Sequence, residues 1–126
     1  MRSVDCAGHA GLKAHGPDIL RRGIDLTTVS LGALAVEDVY DSLLRAAGDG
    51  GATLYLATGA IGALDCLRAA RAGNLEHVTY VGRKPPAGWK GSPAEARLDL
   101  DDMADEDAVH FEGTARVAAI EYPKNA

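Results

Sequence analysis

With 126 residues, of which 47% are hydrophobic and 25% charged, the chain has the size and composition of one ordinary globular domain. Its net charge of −5 argues against a surface for nucleic acid or an anionic membrane, because both attract basic proteins. No stretch approaches the roughly 20 consecutive apolar residues of a membrane span and no apolar signal segment follows Met1, so we expect a soluble cytoplasmic protein.

The first elements alternate between helix and strand patterns. Residues 9–22 have helical spacing of apolar side chains, and Gly16-Pro17 predicts one kinked helix or two short ones. The β-branched run over 24–31 predicts a strand buried on both faces, which Gly32 ends.

The pattern then repeats. Apolar residues at three- and four-residue spacing predict a helix over 36–47, ended by the glycine-rich run 48–51. A strand follows over 52–57, and a helix over 61–72 that Gly73 closes. The order helix, strand, helix, strand, helix is typical of the back half of a doubly wound parallel sheet.

The turn between the last strand and helix is the first place to look for a ligand. It reads Thr58-Gly59-Ala60-Ile61-Gly62, and such a glycine turn leaves backbone N–H groups open to a flat or anionic ligand at a helix N-terminus. The alternative is a tight strand-to-helix connection that binds nothing.

After Gly73 the pattern changes. Residues 75–84 alternate like a strand with one solvated face, and a Pro-Pro pair ends it. A loop with a short acidic helix is predicted over 87–107, a brief strand over 109–111 and a helix over 113–120.

Neither the cysteines nor the histidines show metal-ligand spacing. Cys6 and Cys66 are interpreted as small core hydrophobes rather than a disulfide. His9 follows a strand end, where it either approaches a cofactor or caps a helix. His15, His77 and His110 are assigned no catalytic role, and no metal site is predicted.

Seven short motifs, in the same order along essentially the whole chain, resemble those of the L-aspartate dehydrogenase family. They are Gly8-His9, His15-Gly16-Pro17, Val29-Ser30-Leu31-Gly32-Ala33-Leu34, Thr58-Gly59-Ala60-Ile61-Gly62-Ala63-Leu64-Asp65, Gly82-Arg83-Lys84-Pro85-Pro86, Phe111-Glu112-Gly113 and Pro123-Lys124-Asn125-Ala126. The spacing of the last four makes the resemblance specific.

This resemblance implies a fold and an activity. The fold is α/β: the C-terminal half of a Rossmann-type doubly wound parallel sheet over residues 1–57, joined to part of a mixed α/β catalytic and dimerisation domain over 58–126. The activity is the NAD(P)-dependent oxidative deamination of L-aspartate to iminoaspartate, which feeds NAD biosynthesis, in a homodimeric enzyme. The family's phosphate loop would precede Met1 and its catalytic histidine would follow Ala126. We therefore expect a chain truncated at both ends, impaired in activity and without a catalytic residue of its own.

Site residues follow from the same resemblance. Ala60 and Asn125 match family contacts to the nicotinamide cofactor, NAD or NADP. Gly8, Gly32 and Gly59 lie where the strand ends would face the same crevice. Because a dicarboxylate needs cationic partners, Lys84 and Lys124 are predicted to contact the substrate.

Two other functions stay open. The chain could be a non-catalytic remnant that persists as a dimerisation module, or a related dehydrogenase acting on another amino or keto acid, such as a homoserine dehydrogenase. Sedimentation and cofactor binding distinguish the remnant from an enzyme: a stable dimer without cofactor affinity favours the remnant, and a monomer that binds NAD favours a shortened enzyme. The choice of NAD over NADP depends on a residue of the family's preceding segment.

Overall fold

The computed structural model describes residues 1–59, 63–103 and 107–123. Its contacts divide the chain into two compact units, Met1–Val78 and Thr79–Ala126. Within the described ranges, no helix is both long enough and apolar enough to cross a bilayer.

A three-stranded parallel sheet organises the first unit. Strands β1 (Arg2–Asp5), β2 (Asp25–Thr28) and β3 (Leu54–Leu56) lie in that order. The register places Asp5 directly opposite Thr28, and Thr28 opposite Leu56. All three strands therefore end at the same edge of the sheet, as expected for the predicted α/β class, which is confirmed.

Three helices alternate with these strands: α1 (Gly8–Arg21), α2 (Glu37–Gly50) and α3 (Leu64–Ala70). Helices α1 and α2 pack against each other and against the sheet. The buried core they form consists of Leu12, Leu20, Leu26, Ala33, Val39, Leu43 and Ala46. On the other face of the sheet Val4 is 63% exposed and Tyr55 40% exposed, so burial is concentrated on the helical side.

Helices α1 and α2 confirm the two helices predicted from the apolar spacing, with small differences at their ends. Helix α1 is a single helix with Pro17 inside it. Helix α2 extends beyond the predicted end, through Gly50, and stops where Gly51 adopts a left-handed conformation with φ +60°. The backbone of Gly50 lies against α1, and an added Cβ would fall 2.0 Å from the Leu20 carbonyl oxygen, so a larger residue does not fit there.

The strands are shorter than predicted. The strand predicted over 24–31 ends at Thr28, because the Ser30 amide turns back to donate to Thr28 Oγ1 at 3.0 Å. Leu31–Ala35 then forms a 3₁₀ helix. The last strand covers Leu54–Leu56 rather than 52–57. The helix predicted over 61–72 is present as Leu64–Ala70, and residues 60–62 lie outside the described part of the chain.

The second unit contains short elements. They are 3₁₀ helices over Pro86–Trp89 and Pro93–Ala96, and helix α4 (Ala115–Glu121), whose first turn is capped by Thr114. Helix α4 confirms the helix predicted over 113–120. The strands predicted over 75–84 and 109–111 are wrong: these residues are irregular, and all of 75–84 is exposed. A segment with alternating side chains forms a strand only where its backbone can hydrogen-bond to a neighbouring strand.

Candidate functional site

The carboxyl ends of the three strands form the candidate site, because ligands of open parallel sheets lie beyond these ends. Asp5 ends β1, Thr28 ends β2 and Leu56 ends β3. The turn after β2 lies close to the turn after β3, since an ideal Cβ on Gly59 would sit 3.7 Å from the Val29 carbonyl oxygen.

A buried hydrogen-bond network joins the first two strand ends. Asp5 Oδ2 accepts hydrogen bonds from Thr28 Oγ1 at 2.7 Å and Ser30 Oγ at 2.8 Å. Its other oxygen, Oδ1, accepts the Ala7 amide at 3.0 Å. The Ser30 amide donates to Thr28 Oγ1 at 3.0 Å, which closes a ring of hydrogen bonds between the two ends. All three polar side chains are buried.

The same network sets the charge of Asp5. Burial by itself raises the pKa of the carboxyl group. Hydrogen bonds from Thr28, Ser30 and the Ala7 amide, together with the attraction of His9, outweigh burial and hold the pKa below the ordinary value. Asp5 is thus an anion whose two oxygens accept three hydrogen bonds, and its lowered pKa makes it a weak general base.

The turns that follow the strands carry the predicted glycines. Gly8 begins α1 with φ +78° and has open space around the position of a Cβ. Gly32 lies in the 3₁₀ helix after β2, and Gly59 has φ +54° after β3. The structure thus brings Gly8, Gly32 and Gly59 to one edge of the sheet. A glycine lets a ligand approach the backbone because it has no Cβ, and Gly8 also has open space at that position.

Other predicted site residues are placed differently. Ala60, Lys124 and Asn125 lie outside the described residues, so their roles stay predictions. Lys84 is an exposed residue of the second unit, with its ammonium 5.2 Å from the centroid of the Trp89 ring. Substrate contact by Lys84 also stays a prediction.

The sequence alone did not single out an aromatic cluster in the second unit. Trp89 and His110 meet edge to face with ring centroids 4.4 Å apart, and His110 Nδ1 lies 3.2 Å from the Tyr122 hydroxyl. Arg97 donates to the His110 carbonyl at 2.6 Å. Burial, with a smaller contribution from Arg97, lowers the pKa of His110. The available signal was that Trp89, Phe111 and Tyr122 are half of the chain's six aromatic residues.

The cysteines differ from their interpretation as core residues. Cys6 and Cys66 are both free and exposed, so that prediction is wrong. Cys6 follows directly after β1, and Cys66 lies on α3, which has no buried residue. Over the ranges that the structure describes, no group of three or more His, Cys, Asp or Glu residues is arranged to hold a metal ion.

Two family models match the chain, one in each half. The first, described as "Homoserine dehydrogenase, NAD binding domain", matches residues 3–57, and the second, "Aspartate dehydrogenase, C-terminal", matches residues 65–126. An L-aspartate dehydrogenase of Ruegeria pomeroyi is 56% identical over 123 residues, 98% of this chain and 44% of that protein. One of Ralstonia nicotianae is 50% identical, over 98% of this chain and 46% of the relative.

The chain belongs to the L-aspartate dehydrogenase family. This confirms the resemblance carried by the sequence motifs, and the chain spans about half the length of the curated relatives it matches. A crystal structure of aspartate dehydrogenase from Thermotoga maritima superposes with a TM-score of 0.68 at 23% identity, over 98% of this chain and 48% of that one. At this identity the likeness shows that the fold is shared.

Proposed function

We propose that this member of the L-aspartate dehydrogenase family contributes the nicotinamide-binding edge to an NAD(P)-dependent oxidative deamination of L-aspartate to iminoaspartate. The observation that carries the proposal is the convergence of Gly8, Gly32 and Gly59 at the carboxyl edge of a parallel sheet. The match of residues 3–57 to an NAD-binding model and the names of the similar proteins support it.

The described residues leave room at the sheet edge for the nicotinamide end of a dinucleotide. Gly8 and Gly59 are both exposed and have positive φ, and there is open space at the Cβ position of Gly8. A flat ligand can therefore approach the backbone there. No described side chain fills that space at Gly8. When bound, a nicotinamide cofactor accepts the hydride that leaves the α-carbon of aspartate.

The chain's own groups would orient and bind rather than carry protons. Asp5 is held by three donors, so it shapes the edge of the sheet. His9 is half-buried in the first turn of α1, close enough to Asp5 to lower its pKa, and so flanks the same edge. Lys84 and Lys124 are the proposed cations for the two substrate carboxylates. Ala60 and Asn125 are the proposed further cofactor contacts.

The proposal extends to organisation. We assign residues 1–57 to the cofactor-binding part and 58–126 to part of the catalytic and dimerisation domain. The family matches over 3–57 and 65–126 support this division. A cytoplasmic homodimer is proposed on the same resemblance.

Cofactor binding and turnover by the purified chain test the proposal. We expect weak binding of NADH, displaced by NAD⁺, in titration calorimetry, and slow or undetectable formation of reduced cofactor with L-aspartate. L-homoserine is the control substrate. Turnover with L-homoserine alone would favour a homoserine dehydrogenase. A dimer by sedimentation that binds no NADH would favour a dimerisation module and would contradict the proposal.

A further inference from the structure

We infer that Asp5 is a positioning residue whose carboxylate locks the turn after β1 to the turn after β2 and thereby sets the two sides of the cofactor edge. The inference rests on the proposed function for its consequence, cofactor affinity. The locking itself is a property of the ligand-free chain and is tested separately.

The Asp5 carboxylate reaches both turns. Through Oδ1 it accepts the Ala7 amide, which fixes the backbone immediately before Gly8. Through Oδ2 it accepts the Ser30 hydroxyl, which fixes the backbone two residues before Gly32. Because Ser30 is also tied through its amide to Thr28 Oγ1, the second turn is held at two points.

The turn after β1 is closely packed against the start of α1. Gly11, one turn into α1, lies so near Ala7 that an added Cβ would fall 2.5 Å from the Ala7 Cβ. The start of α1 therefore follows the position of Ala7, and Ala7 follows Asp5. A movement of the carboxylate would be passed to Gly8 and His9, the residues nearest the proposed cofactor edge.

The hydrogen bonds to Asp5 require an anion rather than a neutral amide at this position. A carboxylate accepts at both oxygens, which suits three donors from two directions. An amide in its place offers one oxygen and one NH₂ group. With the oxygen toward the obligatory donor Ala7 N–H, the NH₂ group would face the hydroxyls of Thr28 and Ser30, and the bonds to the second turn would be lost or reversed.

A matched control lies at the opposite end of the same sheet. Asp25 begins β2, and its Oδ1 accepts the Thr53 amide at 2.9 Å. It is therefore also a strand carboxylate that holds a backbone N–H of a neighbouring segment. Asp25→Asn therefore shows what the loss of one strand carboxylate does away from the two turns, and Ser30→Ala shows what the loss of one of the three donors to Asp5 does.

The experiment compares the wild-type chain with Asp5→Asn, Asp25→Asn and Ser30→Ala. Backbone ¹⁵N relaxation of residues 7–9 and 30–32 reports the order of the two turns, and NADH titration reports affinity. We expect Asp5→Asn to increase motion in both turns and to weaken NADH binding about tenfold, the equivalent of one charge-assisted hydrogen bond. Ser30→Ala, which removes one arm, should loosen residues 30–32 alone. Asp25→Asn should leave both turns and the affinity unchanged.

The outcomes separate the inference from the proposed function. Unchanged relaxation at both turns in Asp5→Asn, or equal weakening of NADH binding by Asp25→Asn, would overturn the positioning role. If Asp5→Asn does not fold, Ser30→Ala decides, and unchanged order of residues 30–32 in that variant would overturn the locking. If the wild-type chain binds no NADH, the proposed function fails, while the relaxation data still decide whether Asp5 locks the turns.

Discussion

Each of the two units of the chain is stabilised internally by a different kind of interaction. Met1–Val78 combines a parallel sheet with a buried aliphatic core between α1 and α2. In the described part of Thr79–Ala126, strands are absent and the buried hydrophobic residues are Ala94, Leu100 and Tyr122. Burial of apolar area stabilises the first unit, whereas ring contacts and hydrogen bonds carry more of the second.

The two units should respond differently to pH. An aliphatic core contains no group that titrates, so its contribution does not follow pH. The second unit contains His110 and Arg97 in its aromatic cluster, and the pKa of His110 lies below its ordinary value of 6.5, so this side chain becomes charged only at lower pH. We therefore expect substitutions in the core to have their largest effect in the first unit. We expect pH dependence just below 6.5 in the second unit, whereas Asp5 makes the stability of the first unit pH-dependent only in stronger acid, because its pKa lies below the ordinary value of 3.8.

The largest effect should come from a truncation in the aliphatic core. Leu43 is fully buried on α2, and Leu43→Ala should lower the free energy of unfolding by about 3 kcal/mol, through lost burial and the cavity left behind. Its neighbour Leu44 is 46% exposed, and Leu44→Ala should cost less than about 1 kcal/mol. Urea unfolding followed by far-UV circular dichroism measures both. Equal losses would contradict a core centred on α1 and α2.

A glycine pair on α2 sharpens the account of helix packing. An added Cβ at Gly50 would meet the Leu20 carbonyl oxygen at 2.0 Å, so Gly50→Ala should destabilise the first unit by about 2 kcal/mol. Gly48 lies in the same helix with open space at its Cβ position. Gly48→Ala should therefore stabilise by about 0.5 to 1 kcal/mol through helix propensity. Thermal unfolding separates the two, and a stabilising Gly50→Ala would contradict the close contact of α1 with α2.

In the second unit, the Tyr122 hydroxyl is the point where the cluster's polar contacts meet. It lies 3.2 Å from His110 Nδ1 and 3.4 Å from Arg97 Nη1. Tyr122→Phe keeps the ring and should cost about 1 kcal/mol, the value of a typical hydrogen bond. Trp89, the chain's single tryptophan, reports this unit by fluorescence. Tyr80, 65% exposed, supplies the control Tyr80→Phe, for which no change is expected.

The smallest effect is the pH dependence of the same cluster. The pKa of His110 lies below its ordinary value of 6.5 in the folded chain, so the unfolded chain binds more protons just below that pH. The free energy of unfolding should therefore fall as pH decreases from 6.5 toward the folded pKa. Unfolding followed by Trp89 fluorescence at several pH values measures this free energy, and His110→Asn should remove its pH dependence in this range. A second unit more stable in acid would contradict the assignment.

Much of the first unit could be predicted because its signals are local. Apolar spacing predicted α1 and α2, and glycines marked where these helices stop. The Asp5 network was missed because it joins residues 23 and 25 positions apart, and a single aspartate at a strand end carries no periodic signal. The strand predicted over 75–84 failed for the related reason that strand formation depends on a partner elsewhere in the chain. Motif resemblance, in contrast, predicted the family correctly.

The central claim is that the carboxyl edge of the sheet binds a nicotinamide dinucleotide, and chemical-shift mapping with ¹⁵N-labelled chain tests it most directly. On addition of NADH, the amides of Gly8, His9, Gly32 and Gly59 should shift together with one dissociation constant. Gly23 and Gly51, which follow α1 and α2 at the opposite edge, should not move. Shifts confined to Gly23 and Gly51 would contradict the claim. So would the absence of shifts at all of these positions when NADH is added up to its solubility limit.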